Sequence, residues 1–152
     1  MALYHYRESS LSRSQGRSAC AAVAYITKED IVDDRTGFLF FYESEGHDVT
    51  FKTLAPEGAP EWAKEVQTLW NRVEAFEDEI AEDRFKGHPH DEDKNERSLR
   101  AREAYKSSAV TAHQLIIALP LEFSRTQNEE AVKRYLEQIA LSKNMCATYG
   151  IH

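Results

Sequence analysis

Six apolar residues, Trp62, Val66, Leu69, Val73, Phe76 and Ile80, recur at spacings of 4, 3, 4, 3 and 4. A 3.6-residue turn gathers such positions into one stripe, so the rhythm predicts a long amphipathic helix entered at Pro60. A stripe of that length needs other elements packed against it. Residues 18–26 supply one, an alanine-rich helix (Ala19, Ala21, Ala22, Ala24) with little side-chain bulk. Residues 112–119 form the most hydrophobic run, closed by Pro120, and predict a central strand. Residues 145–152 alternate, with Met145, Ala147, Tyr149 and Ile151 on one face and Cys146, Thr148, Gly150 and His152 on the other.

Shorter signals fill in the rest. Residues 3–8 read as a first strand and 9–16 as a polar, glycine-containing loop. Asp33-Asp34-Arg35-Thr36-Gly37 is turn chemistry before an aromatic strand at 38–42. Gly46 and His47 then separate it from an alternating run at 49–54, and the two runs make a plausible hairpin. Residues 97–106 predict a largely solvated helix. Thr126 followed by Glu129 reads as a capping box, with Val132, Tyr135, Leu136 and Ile139 inward. The order of elements predicts an α+β fold, helices packed on a mainly antiparallel sheet.

The chain of 152 residues suffices for one domain with a real core. No apolar run nears the roughly 20 residues of a membrane span, and residues at the amino terminus alternate rather than forming a secretory signal. Cys20 and Cys146 lack the spacing of a disulfide framework or structural zinc. The net charge of −7 argues against a nucleic-acid partner until it is localised. Residues 74–96 hold ten carboxylates against three cations, which accounts for the entire net charge. The first 28 residues instead carry Arg7, Arg13, Arg17 and Lys28 against Glu8, so a local basic patch is allowed.

Ser12-Arg13-Ser14-Gln15-Gly16-Arg17-Ser18 places guanidinium groups and hydroxyls just before a helix, where backbone N–H groups favour an anion. Seven residues beyond Ser18 lies Tyr25. A phenol becomes a useful nucleophile only when its proton is taken or its charge stabilised. By residue type alone the bland alternative is the stronger: a half-buried helix tyrosine and a solvated turn. His88-Pro89-His90 has H-x-H form but sits in a charged, broken stretch and reads as a solvated loop. His113 reads as a core or supporting histidine, and His5 as facing either a substrate or its own sheet. Residues 38–42 read as hairpin packing, and Trp70 lies off the stripe. Cys146 lacks a histidine or acid partner for thiol chemistry.

Met1-Ala2-Leu3-Tyr4-His5 and Ser12-Arg13-Ser14-x-Gly16-Arg17-Ser18-Ala19-x-Ala21-Ala22-x-Ala24-Tyr25 resemble the opening of MobA/MobL-type (MobQ-like) plasmid relaxases. Asp34-Arg35-Thr36-Gly37 with Tyr42, residues 54–62, Leu69-Trp70-Asn71-Arg72-Val73-Glu74 and Ile117-Ala118-Leu119-Pro120-Leu121-Glu122 continue the resemblance in order. It lapses at about 77–111, an acidic insert or helical excursion within a single domain of residues 1–152.

The resemblance implies a relaxase (HUH-type) fold, and a nickase that cuts single-stranded DNA at a plasmid transfer origin. Tyr25 would form a 5′-phosphotyrosine intermediate, with relaxosome accessory proteins as further partners and the cytoplasm as the compartment. Arg13 and Arg17 would clamp phosphates, with Ser14, Ser18 and His5 as lesser DNA contacts. It further implies a divalent ion, Mg or Mn, held by three histidines, of which His152 matches the first. The chain stops there, and no N-P-H-x-H follows within it. The expectation is therefore the amino-terminal portion of a relaxase domain lacking its final strands, inactive as it stands and possessing no complete metal site. The alternative is a DNA-binding or origin-recognition fragment without cleavage; a third reading is a fragment with a raw sheet edge.

Overall fold

The computed structural model describes residues 5–46, 48–88 and 90–152. The strand expected at Leu3 and Tyr4, the break at His47 and the centre of His88-Pro89-His90 lie outside the described residues. In chain order come β1 (Tyr6–Ser12), α1 (Ala19–Thr27), β2 (Ile31–Val32), β3 (Leu39–Phe40), β4 (Thr50–Leu54) and α2 (Val66–Arg84). They are followed by α3 (Glu92–Ser108), β5 (Val110–Ile117), α4 (Arg125–Ile139) and β6 (Ala147–Ile151). Among the described residues the strands form three two-stranded antiparallel ladders, β1–β5, β2–β3 and β4–β6. The fold is α+β, as expected, with helices flanking antiparallel strands.

The expected hairpin between residues 38–42 and 49–54 does not form. β3 turns back on β2 through the Asp33–Gly37 turn, where Asp33 N–H meets the Phe38 carbonyl and Gly37 adopts φ 74°. β4 instead takes β6 as its partner, in register from Thr50↔Ile151 to Leu54↔Ala147. The long-range pairing wins because β6 alternates cleanly and offers both faces to the interior. Tyr149 is buried on the side where α4 packs, while Thr148 accepts a hydrogen bond from Trp70 Nε1 at 2.9 Å.

The centre of the core is Cys20, Val23 and Ala24 of α1 with Ile31, packed against Ile26, Phe40, Val66 and Trp70. Small residues on α1 let its backbone approach its neighbours closely. The helix expected from Pro60 onward is interrupted. Residues Glu61–Lys64 form a 3-10 turn, Glu65 is extended (φ −94°, ψ 119°), and α2 proper starts at Val66. Its most buried positions are Leu69, Asn71, Glu74 and Ala81, whereas Phe76 of the apolar stripe is exposed.

Two further boundaries move. The capping box of α4 is built by Ser124 and Gln127, two positions before the one expected, because those two side chains satisfy each other's backbone N–H groups. The helix expected at 97–106 is longer, since Asp91 caps it and Glu92 and Asp93 occupy its favourable first turn. α3 lies against α2 through Glu82 with Arg102 and Lys106, Glu77 with Tyr105, and the Phe85 and Tyr105 rings. Residues 77–111 are thus mostly paired helix.

Candidate functional site

Helix α1 presents Tyr25 to solvent, the residue 52% exposed. The helix ends just beyond it. Thr27 Oγ1 donates back to the Val23 carbonyl, and Lys28 takes a left-handed conformation (φ 59°, ψ 21°) with its N–H on the Ala24 carbonyl. That conformation lifts the Lys28 ammonium over the Tyr25 ring, 4.2 Å from its centroid, and within 5.8 Å of the Tyr42 centroid. Tyr42 meets Tyr25 edge to face at 5.4 Å, a favoured aromatic geometry.

The end of β6 closes the same corner. A side chain at Gly150 would place its Cβ 1.9 Å from the Ile26 carbonyl oxygen, so only glycine lets the strand lie against the end of α1. Two residues on, His152 stacks on Tyr25, with 6.1 Å between centroids and 27° between ring planes. Its Nε2–H donates to the Ile26 carbonyl at 3.0 Å, which leaves Nδ1 as the ring's free lone pair. Arg125, the first residue of α4, holds this end in place through Thr50 Oγ1 and the Asp48 and Ile151 carbonyls. Tyr25 and His152, widely separated in sequence, are therefore neighbours.

The opposite end of α1 departs from expectation. Arg13 is not a free phosphate clamp: its side chain is only 7% exposed, and its donors all reach protein acceptors. Nε and Nη2 meet Glu74 Oε2 at 3.0 and 2.8 Å, Nη1 meets Asp78 Oδ1 at 2.7 Å, and the Glu74 and Lys106 carbonyls accept the rest. Burial works to lower the Arg13 pKa, yet its bonds to Asp78 and Glu74 hold it above the ordinary arginine value. Burial opposes charge on Asp78 as well, and the guanidinium groups of Arg13 and Arg35 outweigh it, keeping that carboxyl below 3.8.

Glu74 also fills the anion position at the start of α1, where its Oε1 accepts from Ala19 N–H at 2.9 Å. Ser18 is the N-cap there, accepting from Ala21 N–H and donating to Asp33. The expected anion site is thus occupied by the protein's own carboxylate. Two residues of the acidic stretch, Glu74 and Asp78, neutralise the cation that the sequence assigned to DNA.

The other expected contacts vary. Ser14 is exposed and shares a 2.7 Å hydrogen bond with Ser12. Arg17 bonds Ser9 Oγ, the Ser10 carbonyl and Gln114 Oε1, all neutral acceptors, so its charge is uncompensated by these contacts. His5 is exposed at the start of β1, and its carbonyl accepts from Ala118. His113 lies near Glu8 on the β1–β5 ladder. Burial, aided by Asp33 and Glu74, pushes the Cys20 thiol up to about 12, far from a reactive value.

Sequence reasoning counted Lys28 only within a basic stretch, and Tyr42 only as packing and as part of the resemblance, so neither stood out as a site residue. An isolated glycine inside an alternating strand was the available signal for the close approach at Gly150. A divalent ion does not fit the donors at hand. His152 can offer only Nδ1, and no group of three or more His, Cys, Asp or Glu among the described residues is arranged to hold a metal.

Residues 17–83 match the model of the MobA/MobL family. The chain aligns over its full length with the probable mobilization protein MobA of Bifidobacterium longum (30% identical, 22% of that protein). It aligns likewise with the mobilization protein MobL of Acidithiobacillus ferridurans (26%, 32% of that protein) and the conjugal transfer protein TraA of Rhizobium radiobacter (26%, 12% of that protein). The chain thus spans less than a third of the length of these relatives. A solved chain from work on the molecular basis of vancomycin resistance transfer in Staphylococcus aureus has the same fold. The TM-score is 0.75 at 24% identity, over 99% of this chain and 63% of that one. In sequence this chain is thus similar to MobA/MobL proteins, most directly over residues 17–83, and in fold to that solved chain.

Proposed function

We propose that the chain is the nucleophile-bearing part of a DNA relaxase acting in plasmid mobilisation, and that Tyr25 is its nucleophile. The observation that carries this reading is the meeting of an exposed Tyr25 with the His152 imidazole and the Lys28 ammonium at one corner of the fold. The Tyr25 phenol oxygen attacks a phosphodiester of single-stranded DNA at a transfer origin. A bond forms between that oxygen and phosphorus while the bond from phosphorus to the 3′ oxygen breaks. The strand's 5′ phosphate stays on the tyrosine, and the phenolic proton ends, by way of solvent, on the departing 3′ oxygen. A phosphotyrosine conserves the ester's free energy, so the step can run backwards to reseal DNA.

Arg17 is proposed as a phosphate clamp, with Ser14, Ser18 and His5 as lesser DNA contacts. A Mg or Mn ion, implied by the family, would polarise the phosphate; holding it requires ligands beyond those this chain brings together. Action in the cytoplasm with accessory proteins belongs to the same proposal. No helix among the described residues is long and apolar enough to cross a membrane.

The test is incubation with single-stranded transfer-origin oligonucleotide and Mg²⁺ or Mn²⁺, followed by denaturing electrophoresis. A covalent adduct lost in Tyr25→Phe supports the proposal, and an adduct that survives the substitution overturns the nucleophile. Salt-sensitive binding with no adduct would instead indicate a recognition fragment without cleavage.

A further inference from the structure

We propose that Lys28 is the phosphate-binding cation of the Tyr25 site, contacting the DNA backbone beside the attacked phosphodiester. The inference rests on the relaxase reading above. A phosphodiester brought to Tyr25 carries a negative charge, and something at this corner must offset it. Arg13 is saturated by Glu74 and Asp78, and Arg17 lies before the opposite end of α1, with three hydrogen bonds to Ser9, Ser10 and Gln114. Lys28 is different. Like Arg17 it takes part in none of the ion pairs among the described residues, but its ammonium also enters none of their side-chain hydrogen bonds and rests on the faces of two tyrosines, one of them Tyr25.

Local charge sharpens the requirement. Lys28 is the one cation in residues 18–34, against Glu29, Asp30, Asp33 and Asp34. Without it, this stretch would meet DNA with carboxylates only. A lysine ammonium on its flexible four-carbon stem can turn from a ring face to a phosphate oxygen while its stem stays on the ring.

The backbone provides an independent argument. Lys28 stands at a left-handed helix end, φ 59°, where glycine is the residue that fits without strain. A side chain at this position works against local backbone preference, so backbone geometry does not account for the lysine. The ammonium over Tyr25 does.

The experiment measures binding of the full chain to fluorescein-labelled oligothymidine by anisotropy over a salt series, beside thermal melting. Lys28→Met retains the aliphatic stem over the rings, and Lys28→Gly suits the left-handed backbone, so neither is expected to melt below the parent. Both should reduce the salt slope, log affinity against log salt, by about 0.7, the value for one phosphate contact on a single strand. Lys28→Arg should restore the parental slope. If the parent binds and both neutral variants keep its slope, the role of Lys28 is overturned while the relaxase reading stands. If the parent binds neither oligothymidine nor the transfer-origin oligonucleotide at any salt concentration, the relaxase reading falls and this inference with it.

Discussion

The two ends of helix α1 each hold a cation, in opposite states. At its start, Arg13 and Glu74 are buried, paired and hydrogen-bonded to backbone, so each of these two charges has an internal partner. At its end, Lys28 has aromatic faces instead of a carboxylate, Tyr25 is exposed, and His152 keeps one ring nitrogen free. Satisfied charge holds a fold together, whereas unsatisfied charge at the surface is available to a ligand. The difference teaches that a basic motif does not identify a binding site until its partners are known.

If the first end is structural, Glu74→Ala should have the largest effect. It strips Arg13 of its main partner in a buried place and opens the start of α1, and should cost about 3–5 kcal/mol in urea unfolding. Asp83→Ala, at an exposed pair with Lys86, should leave the unfolding midpoint nearly unchanged. Equal costs would erase the distinction between the two kinds of charge. Next comes Gly150→Ala. Its new methyl group must push β6 from the Ile26 carbonyl, at about 1–3 kcal/mol and with loss of the His152 stack on Tyr25, seen as a shifted imidazole NMR signal.

Asn71→Ala should follow at about 1–3 kcal/mol, read from the same denaturation curves. Its amide bonds the Val32 carbonyl and the Asp34 N–H, so the β2–β3 turn should lose hydrogen-exchange protection. The smallest effect concerns pH. The folded pKa of Asp78 lies below its ordinary value of 3.8, so its contribution is complete above that value. It is lost as pH falls through the folded pKa. Comparing acid unfolding of the parent with Asp78→Asn should show that decline only in the parent.

Much of this was legible in the sequence because it rests on local rules. The alanine-rich run, the alternation of residues 145–152 and the turn at Asp33–Gly37 each follow from a short-range preference, and each is present. What was not legible depends on which segments meet. The aromatic run at 38–42 looks equally ready to pair with 49–54 or with Ile31–Val32, and only the competing claim of β6 on β4 decides. Glu74 reads as the first of many solvated carboxylates until Arg13 is found beside it. Lys28 carried no motif; its significance comes from a backbone conformation and two rings that the sequence keeps apart.

The central claim is that Tyr25 attacks DNA, and the most direct measurement locates the covalent bond. Trypsin digestion of the oligonucleotide adduct should release residues 18–28, cut after Arg17 and Lys28, with a nucleotide attached. Tyr25 is the single tyrosine in that peptide. Mass spectrometry finding the added mass there, and fragmentation placing it on Tyr25, is the predicted result. An added mass on any peptide that excludes Tyr25 would contradict the account.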